Sequence, residues 1–138
     1  MNNKKKGFTL IELLVVVAII GLLSTLSIVA LNNARARSRD ARRVADVKQI
    51  QTALELYFND NSAYPATIGS SIISPTASST IYMAQVPAAP LPADCSTASD
   101  NTYTYSGSAS TYTLTYCLGS ATGGVAAGRH TASPAGIQ

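Results

Sequence analysis

The sequence predicts an α+β protein in which one long N-terminal helix packs on a small antiparallel sheet. Residues 8–31 are almost wholly apolar, residues 32–60 keep apolar side chains at helical spacing, and residues 102–116 alternate tyrosine or leucine with threonine. With 138 residues the chain has room for one modest domain and an anchoring segment.

The apolar run from residue 8 to residue 31 predicts a membrane-spanning helix. Its only ionisable side chain is Glu12. As a helix the run would be about 36 Å long, enough to cross a hydrocarbon core of about 30 Å. A buried helix of a soluble protein is one alternative, but few domains of this size could cover so apolar a rod. A secretory signal peptide is another, but its apolar region would be shorter, about 7–15 residues, with a small-residue cleavage site after it.

Glu12 is the unusual residue of this run. A carboxylate near the end of a spanning helix costs on the order of a few kcal/mol, so it needs a partner or a function. The simpler interpretation is that its side chain reaches the membrane surface and does nothing more.

The segment KKKGFTLIE at residues 4–12 resembles the processing site of type IV prepilins and type II secretion pseudopilins. The resemblance implies that residues 1–7 are a leader, that a membrane peptidase cuts between Gly7 and Phe8, and that the new amine of Phe8 is methylated. It also implies that Glu12 is the assembly glutamate, whose carboxylate pairs with the amine of a neighbouring subunit. In an apolar filament core, such a pair would stabilise the register that brings the two charges together and disfavour the others.

The same resemblance implies the partners and the location. The chain would be a structural subunit, not an enzyme, and would need no cofactor. It would form a homo-oligomeric helical filament after storage as a single-pass membrane precursor, and the filament would lie outside the cell or in the periplasm. Its partners would be the prepilin peptidase and an inner-membrane assembly platform with a cytoplasmic ATPase. A major pseudopilin of a type II secretion system, and a membrane-anchored binding domain that never polymerises, stay open as alternatives.

Charge is concentrated near the two ends of the apolar run. Three of the ten basic residues lie in the leader, so its removal would leave seven basic and seven acidic side chains. Five arginines follow the run, at residues 35, 37, 39, 42 and 43. Their number alone would place that side in the cytoplasm, whereas the resemblance places the leader there. The arginines suggest the hypothesis that the chain binds nucleic acid. No aromatic side chain lies between them to stack on bases, so this hypothesis lacks support.

Residues 32–60 are predicted to continue the helix as an amphipathic half. Apolar residues recur at steps of three and four and form one stripe: Val44, Val47, Ile50, Leu54, Tyr57 and Phe58. We expect Arg43, Lys48, Gln49 and Gln51 on the other faces. The helix should stop near Asn61 because Pro65 follows closely. Residues 53–65 also resemble the helix end of major pseudopilins.

The remaining residues, 61–138, are predicted to form a small extracytoplasmic β domain with long loops. Prolines punctuate residues 61–100, within which residues 81–86 suggest a brief strand or a helical turn. Residues 102–105 and 111–116 predict a hairpin joined through residues 106–110, and a third strand is expected near residues 124–132, with turns at Gly123-Gly124 and Gly128. In an exported domain Cys95 and Cys117 would be expected to form a disulfide.

No metal or catalytic site is predicted. Major pseudopilins often bind calcium in this half, but Asp94 and Asp100 are its only acidic residues, too few for a convincing calcium cage. This difference favours a pilus subunit over a secretion pseudopilin. His130 is the only histidine and is expected to be an ordinary surface or strand residue.

Overall fold

The computed structural model describes residues 7–73, 80–92, 95 and 101–138. One helix, α1 (Leu10–Asn61), is followed by strands β1 (Ile72–Ile73), β2 (Ile81–Met83), β3 (Thr104–Gly107), β4 (Tyr112–Leu118), β5 (Gly128–Ser133) and β6 (Gly136–Ile137). The predicted α+β class is confirmed. The chain divides into two compact units, Met1–Arg35 and Ala36–Gln138. The leader residues 1–6, Asp94 and Asp100 lie outside the described residues.

Helix α1 begins and ends within two residues of the bounds predicted from the sequence. Thr9 precedes its first turn, and its carbonyl accepts a hydrogen bond from the Leu13 amide at 3.3 Å. At the other end Ser62 adopts a φ of 54°, and its amide donates to the Phe58 carbonyl at 2.7 Å. A residue in this left-handed conformation is a common way to end a helix. The side-chain amide of Asn61 also donates to the Tyr57 carbonyl, at 2.8 Å.

The larger sheet is antiparallel, with strand order β3-β4-β5-β6. Its central strand β4 alternates sides as the sequence predicts, so one face packs on the buried stripe of α1. The buried residues of that face are Tyr112, Leu114, Tyr116 and Leu118, and those of the helix include Val47, Ile50, Ala53 and Leu54. Thr113 is exposed on the other face. This shared core joins the second half of the helix to the sheet.

The predicted hairpin is present, with a turn placed slightly later than expected. Ser106 and Gly107 belong to β3, opposite Thr113 and Tyr112, and the Ser108 amide closes the turn onto the Thr111 carbonyl at 2.8 Å. Gly107 is needed here because a Cβ atom at this position would collide with the Pro65 carbonyl oxygen and the Tyr105 ring. The chain after the helix therefore packs directly on the backbone of β3.

The other strands differ in part from the prediction. The segment predicted as a brief strand or a helical turn forms β2, which pairs antiparallel with β1. Strand β1 lies in a region predicted as loop, and β6 was not predicted at all. The expected third strand is β5, which begins at Gly128, later than predicted. Before it, Gly123 and Gly124 both have positive φ in a tight turn bridged by Thr122 and Val125, as the mirror-image hairpin turns require.

A disulfide joins Cys95 to Cys117, as expected for an exported domain. Cys117 is buried on the outer side of β4. The Asn101 side chain clamps Cys95 from both directions: it accepts from the Cys95 amide at 3.2 Å and donates to the Cys95 carbonyl at 3.1 Å. The bridge closes a 22-residue separation, which should stabilise the fold by about 3 kcal/mol on the chain-entropy estimate.

Arg43 is the clearest error of the sequence prediction, which placed it on a polar face. Its side chain is 2% exposed, and its guanidinium pairs at 2.7 Å with the fully buried carboxylate of Asp40. The second guanidinium nitrogen donates to the Pro90 carbonyl at 2.9 Å. The Asp40 carboxylate also accepts from the amides of Gly119 and Ser120, at 3.0 and 2.8 Å. We call Asp40 and Arg43 the buried ion pair; it ties two loops to the helix.

Candidate processing and assembly site

The first residues of the described chain form the candidate site, and they lie at the surface of the first unit. Phe8 is 84% exposed. No heavy atom lies within 4 Å of the position that a Cβ atom would take on Gly7, apart from its chain neighbours. The bond between Gly7 and Phe8 is therefore open to an enzyme.

Thr9 and Glu12 form a reciprocal cap at the start of α1. The Glu12 carboxylate oxygen Oε2 accepts from the Thr9 amide at 2.8 Å and from the Thr9 hydroxyl at 2.6 Å. The Glu12 amide in turn donates to the Thr9 hydroxyl oxygen at 3.3 Å. This is the capping box, in which a threonine and a glutamate three residues later satisfy each other's backbone amides. The cap occupies Oε2 and fixes the carboxylate beside the helix terminus.

Glu12 keeps one oxygen available for a further partner. Within the part of the chain that the structure describes, no donor contacts Oε1, and the surrounding surface is an open apolar groove lined by Phe8, Ile11, Val15 and Val16. An ammonium group could reach Oε1 without breaking the cap. The capping box is readable in the sequence as Thr-x-x-Glu before an apolar run, but of its two residues only the glutamate was predicted as a site residue.

The apolar rod, residues 8–31, has no cover within the chain. All sixteen of its large apolar side chains lie between 47% and 84% exposed. Burying one such side chain stabilises by about 1.5–3 kcal/mol. Covering the whole rod with lipid or with protein would therefore be strongly favourable. Among the described residues, α1 is the one helix long and apolar enough to cross a membrane.

The polar side chains of the rod are compatible with lipid. The hydroxyls of Ser24, Thr25 and Ser27 donate to carbonyls one turn earlier in the same helix, at distances of 2.7–2.8 Å. In hydrocarbon each polar group must find a partner inside the protein, and these three have one. Glu12 is the single charged side chain of the rod, and its Oε1 has no donor among the described residues.

The other residues singled out from the sequence lie elsewhere. The two cysteines form the bridge in the second unit, away from the processing motif in the sequence. His130 lies on β5, where its ring nitrogens are 3.0 Å from the Gln138 carbonyl oxygen and 2.8 Å from the Ala126 carbonyl oxygen, and its ring packs on Tyr116. Within the described ranges no three histidine, cysteine or acidic side chains are grouped to hold a metal ion.

Comparisons with known proteins found one motif and several partial relatives. Residues 2–28 match the prokaryotic N-terminal methylation motif. Type II secretion system core protein G of Dickeya chrysanthemi is 33% identical over 79 residues, which cover 55% of this chain and 52% of that protein. The protein of the same name from Escherichia coli K12 is 36% identical over 66 residues, which cover 48% of this chain and 46% of that protein.

A fimbrial relative matches a shorter region more closely. Type IV major fimbrial protein FimA of Dichelobacter nodosus is 47% identical over 55 residues, which cover 40% of this chain and 35% of that protein. The chain thus spans about half or less of the length of the curated relatives it matches. No solved structure matches. The chain therefore carries the prokaryotic N-terminal methylation motif and is a relative of type II secretion core proteins and type IV fimbrial proteins.

Proposed function

We propose that this chain is a structural subunit of a type IV pilus-like filament, made as a membrane precursor and polymerised through its N-terminal helix. The observation that carries the proposal is an uncovered apolar rod that begins with a single capped carboxylate. A membrane can cover such a rod in the precursor, and other copies of the same rod can cover it in a filament. No cofactor enters the proposal, and the proposed role is structural; one relative is named a type IV major fimbrial protein.

Storage in the membrane follows from the length and chemistry of the rod. Residues 10–31 would extend about 33 Å as a helix, which matches a hydrocarbon core of about 30 Å. The hydroxyls of Ser24, Thr25 and Ser27 are bonded within the helix and so need no water. We infer a single-pass precursor in the cell membrane, with residues 1–7 as leader, residues 8–31 as the spanning segment and residues 32–138 outside the cytoplasm.

Processing would create the ammonium group with which the Glu12 carboxylate can pair. Hydrolysis of the Gly7–Phe8 peptide bond by a prepilin peptidase leaves a carboxylate on Gly7 and an ammonium on Phe8. Transfer of a methyl group from a methyl-donor cosubstrate to that amine keeps its positive charge. The match to the methylation motif supports this step. The exposure of Phe8 is consistent with access by the enzyme.

Assembly would bring the Phe8 ammonium of an incoming subunit to Oε1 of a neighbour's Glu12. Neither charge is tolerated alone in an apolar filament core, so the pair would penalise a wrong register strongly. Most of the attraction would come from packing the large apolar side chains of the rods. An assembly platform with a cytoplasmic ATPase would supply the work of extracting each rod from lipid.

The role of a major pseudopilin in a type II secretion system is the second candidate. The longer match to the core protein G relatives, 79 residues against 55 for the fimbrial protein, favours it. The genes beside this one would discriminate the two roles. Secretion-specific partners around an outer-membrane secretin would indicate the pseudopilin, and a retraction ATPase would indicate the pilus.

The Glu12→Gln variant tests the assembly role. Glutamine can keep the capping box with Thr9 but cannot carry the charge that pairs with an ammonium. We expect normal cleavage and membrane insertion but few or no surface fibres by electron microscopy. Ser24→Ala, which changes a hydroxyl bonded within its own helix, is the matched control and should form fibres normally. If Glu12→Gln left the number of fibres unchanged, the chain would fit a membrane-anchored domain that does not use this pairing.

A further inference from the structure

The helix just beyond the apolar rod presents an unbalanced set of positive charges. Arg35, Arg37 and Arg42 are exposed. The acidic side chains nearest to them in sequence are Asp40, which is fully buried in the buried ion pair, and Asp46, which is 6% exposed and accepts from the Tyr103 hydroxyl at 2.9 Å. We call Arg35, Arg37 and Arg42 the arginine collar. Both carboxylates are buried and already hydrogen-bonded, so they neutralise the arginine collar only in part.

The collar lies where phospholipid headgroups would be. The apolar run ends at Leu31, so at about 1.5 Å per residue Arg35 lies about 6 Å farther along the helix. The headgroup layer extends roughly 5–8 Å beyond the hydrocarbon core on each side. Arg35 reaches that layer directly, and the long side chains of Arg37 and Arg42 can extend back toward it.

The arrangement around the helix favours lipid over nucleic acid. At 3.6 residues per turn, Arg37 and Arg42 lie about 140° apart around the helix, so the two charges do not share one face. A surface for a nucleic-acid strand would gather its charges on one face and place aromatic side chains between them, and residues 35–43 contain no aromatic residue. Lipid headgroups surround a spanning helix on all sides.

We propose that the arginine collar binds the phosphates of anionic phospholipids in the leaflet opposite the leader. This rests on the proposed storage of the precursor in the membrane. A guanidinium presents paired donors that match two oxygens of a phosphate. Each arginine near an anionic membrane surface should favour the charged lipid by about fivefold. The collar would hold the precursor at a fixed depth until assembly extracts it.

The test uses the full chain, with its leader intact and its disulfide oxidised, reconstituted in phospholipid vesicles. A fluorescent label on Asn33→Cys, an exposed position just past the rod, reports the lipids next to the helix on the collar side. Quenching is compared between brominated phosphatidylglycerol and brominated phosphatidylcholine, each in an equal mixture of the two lipids. The matched variants are Arg35→Gln/Arg37→Gln/Arg42→Gln and, as control, Lys48→Gln, which removes an exposed charge farther from the rod.

We expect phosphatidylglycerol to be enriched beside the labelled wild-type helix by about fivefold or more at low salt. The triple variant should fall to nearly equal quenching by the two lipids, and the Lys48→Gln control should keep the wild-type preference. High salt should reduce the wild-type preference, since exposed charges are screened.

Three other results would overturn the proposal. Equal quenching by the two lipids in the wild type means that the collar does not recognise lipid phosphate. A triple variant that loses binding to duplex DNA but keeps its lipid preference would assign the arginines to nucleic acid instead. Absence of quenching by either lipid means that the helix does not enter the bilayer, and the proposed membrane storage then fails too. A normal lipid preference in a chain that never forms fibres would leave the collar in place and remove the filament function.

Discussion

The buried ion pair gives the sharpest prediction about stability. Asp40→Ala removes a carboxylate that accepts from Arg43 at 2.7 Å, from the Gly119 amide at 3.0 Å, and from the amide and hydroxyl of Ser120 at 2.8 and 2.7 Å. The Arg43 guanidinium would stay behind, 2% exposed, without the carboxylate that contacts it at 2.7 Å. The variant therefore breaks the pair and also releases the loop that contains residues 119 and 120.

The expected loss of free energy of unfolding follows from the burial of the Asp40 and Arg43 side chains. Removing one partner of a buried ion pair costs about 3–5 kcal/mol, because an uncompensated charge remains in the interior. Gly119 lies at the surface, so water can replace part of its lost hydrogen bond, and the loop adds little to that range. A surface ion pair would instead be worth about 0–1 kcal/mol.

The assay is urea unfolding of the full chain in detergent micelles, followed by the near-ultraviolet circular dichroism of its tyrosines. All seven tyrosines lie in the second unit, and the chain has no tryptophan. Asp40→Leu/Arg43→Met, which removes both charges, should recover most of the lost free energy of unfolding. Lys48→Gln, at an exposed position on the same helix, should stay within about 0.5 kcal/mol of wild type. A loss below about 1 kcal/mol for Asp40→Ala would refute the buried pair as described.

Three further predictions concern the second unit. Leu114→Ala should lower the free energy of unfolding by about 2–5 kcal/mol, because it opens a cavity in the core. Thr113→Ala, at an exposed position on the same strand, should change the free energy of unfolding by less than about 0.5 kcal/mol. Equal losses in the two variants would contradict the assigned faces of β4. Cys95→Ser/Cys117→Ser should cost about 3 kcal/mol in the same unfolding assay, and an unchanged midpoint under oxidising conditions would count against a stabilising bridge. Burial raises the pKa of Tyr105 to about 12, while in the unfolded chain it is about 10. As the pH rises, the Tyr105 hydroxyl loses its proton in the unfolded chain before it does so in the folded chain. Its contribution to the free energy of unfolding should therefore be complete below pH about 10 and be lost as the pH rises toward 12. The free energy of unfolding of Tyr105→Phe should fall less steeply over this range.

The features predicted correctly from the sequence are those whose signal is local. The rod needs only a run of apolar residues, the amphipathic half needs only a repeat of three and four, and the hairpin needs only alternation around a turn. The alternation of Tyr112, Leu114 and Tyr116 also gave the buried face of β4. Each of these patterns reflects burial on one side of a regular element, so composition at fixed spacing is enough to find it.

The errors come from contacts between segments distant in sequence. Arg43 is buried because Asp40, Pro90 and two amides near residue 120 all converge on one place, and no local pattern reports that convergence. A hint was present: Asp40 and Arg43 are opposite charges three residues apart, and both extend the buried stripe that continues through Val47. Strands β1 and β6 have two residues each, too short for any alternation to be visible.

The candidate site was predicted in its identity but not in its geometry. The sequence indicated Gly7, Phe8 and Glu12 through a resemblance, and their roles in cleavage, methylation and assembly stay predictions. The sequence did not predict the cap, in which Thr9 donates to one carboxylate oxygen of Glu12 and leaves the other open. That detail depends on the conformation of one side chain at a helix terminus, and it makes Glu12→Gln a sharper probe than removal of the whole side chain.

We infer that, after cleavage, the rod leaves the membrane to bundle with copies of itself. This inference is tested most directly by the intact mass of the chain recovered from surface fibres sheared off cells of the native host. We predict a chain that begins at Phe8, carries one added methyl group on its amine, and lacks the two hydrogens that an oxidised cysteine pair loses. Fibres that contain the uncut chain, or a processed chain that occurs only in the membrane fraction while the cells carry fibres, would contradict it.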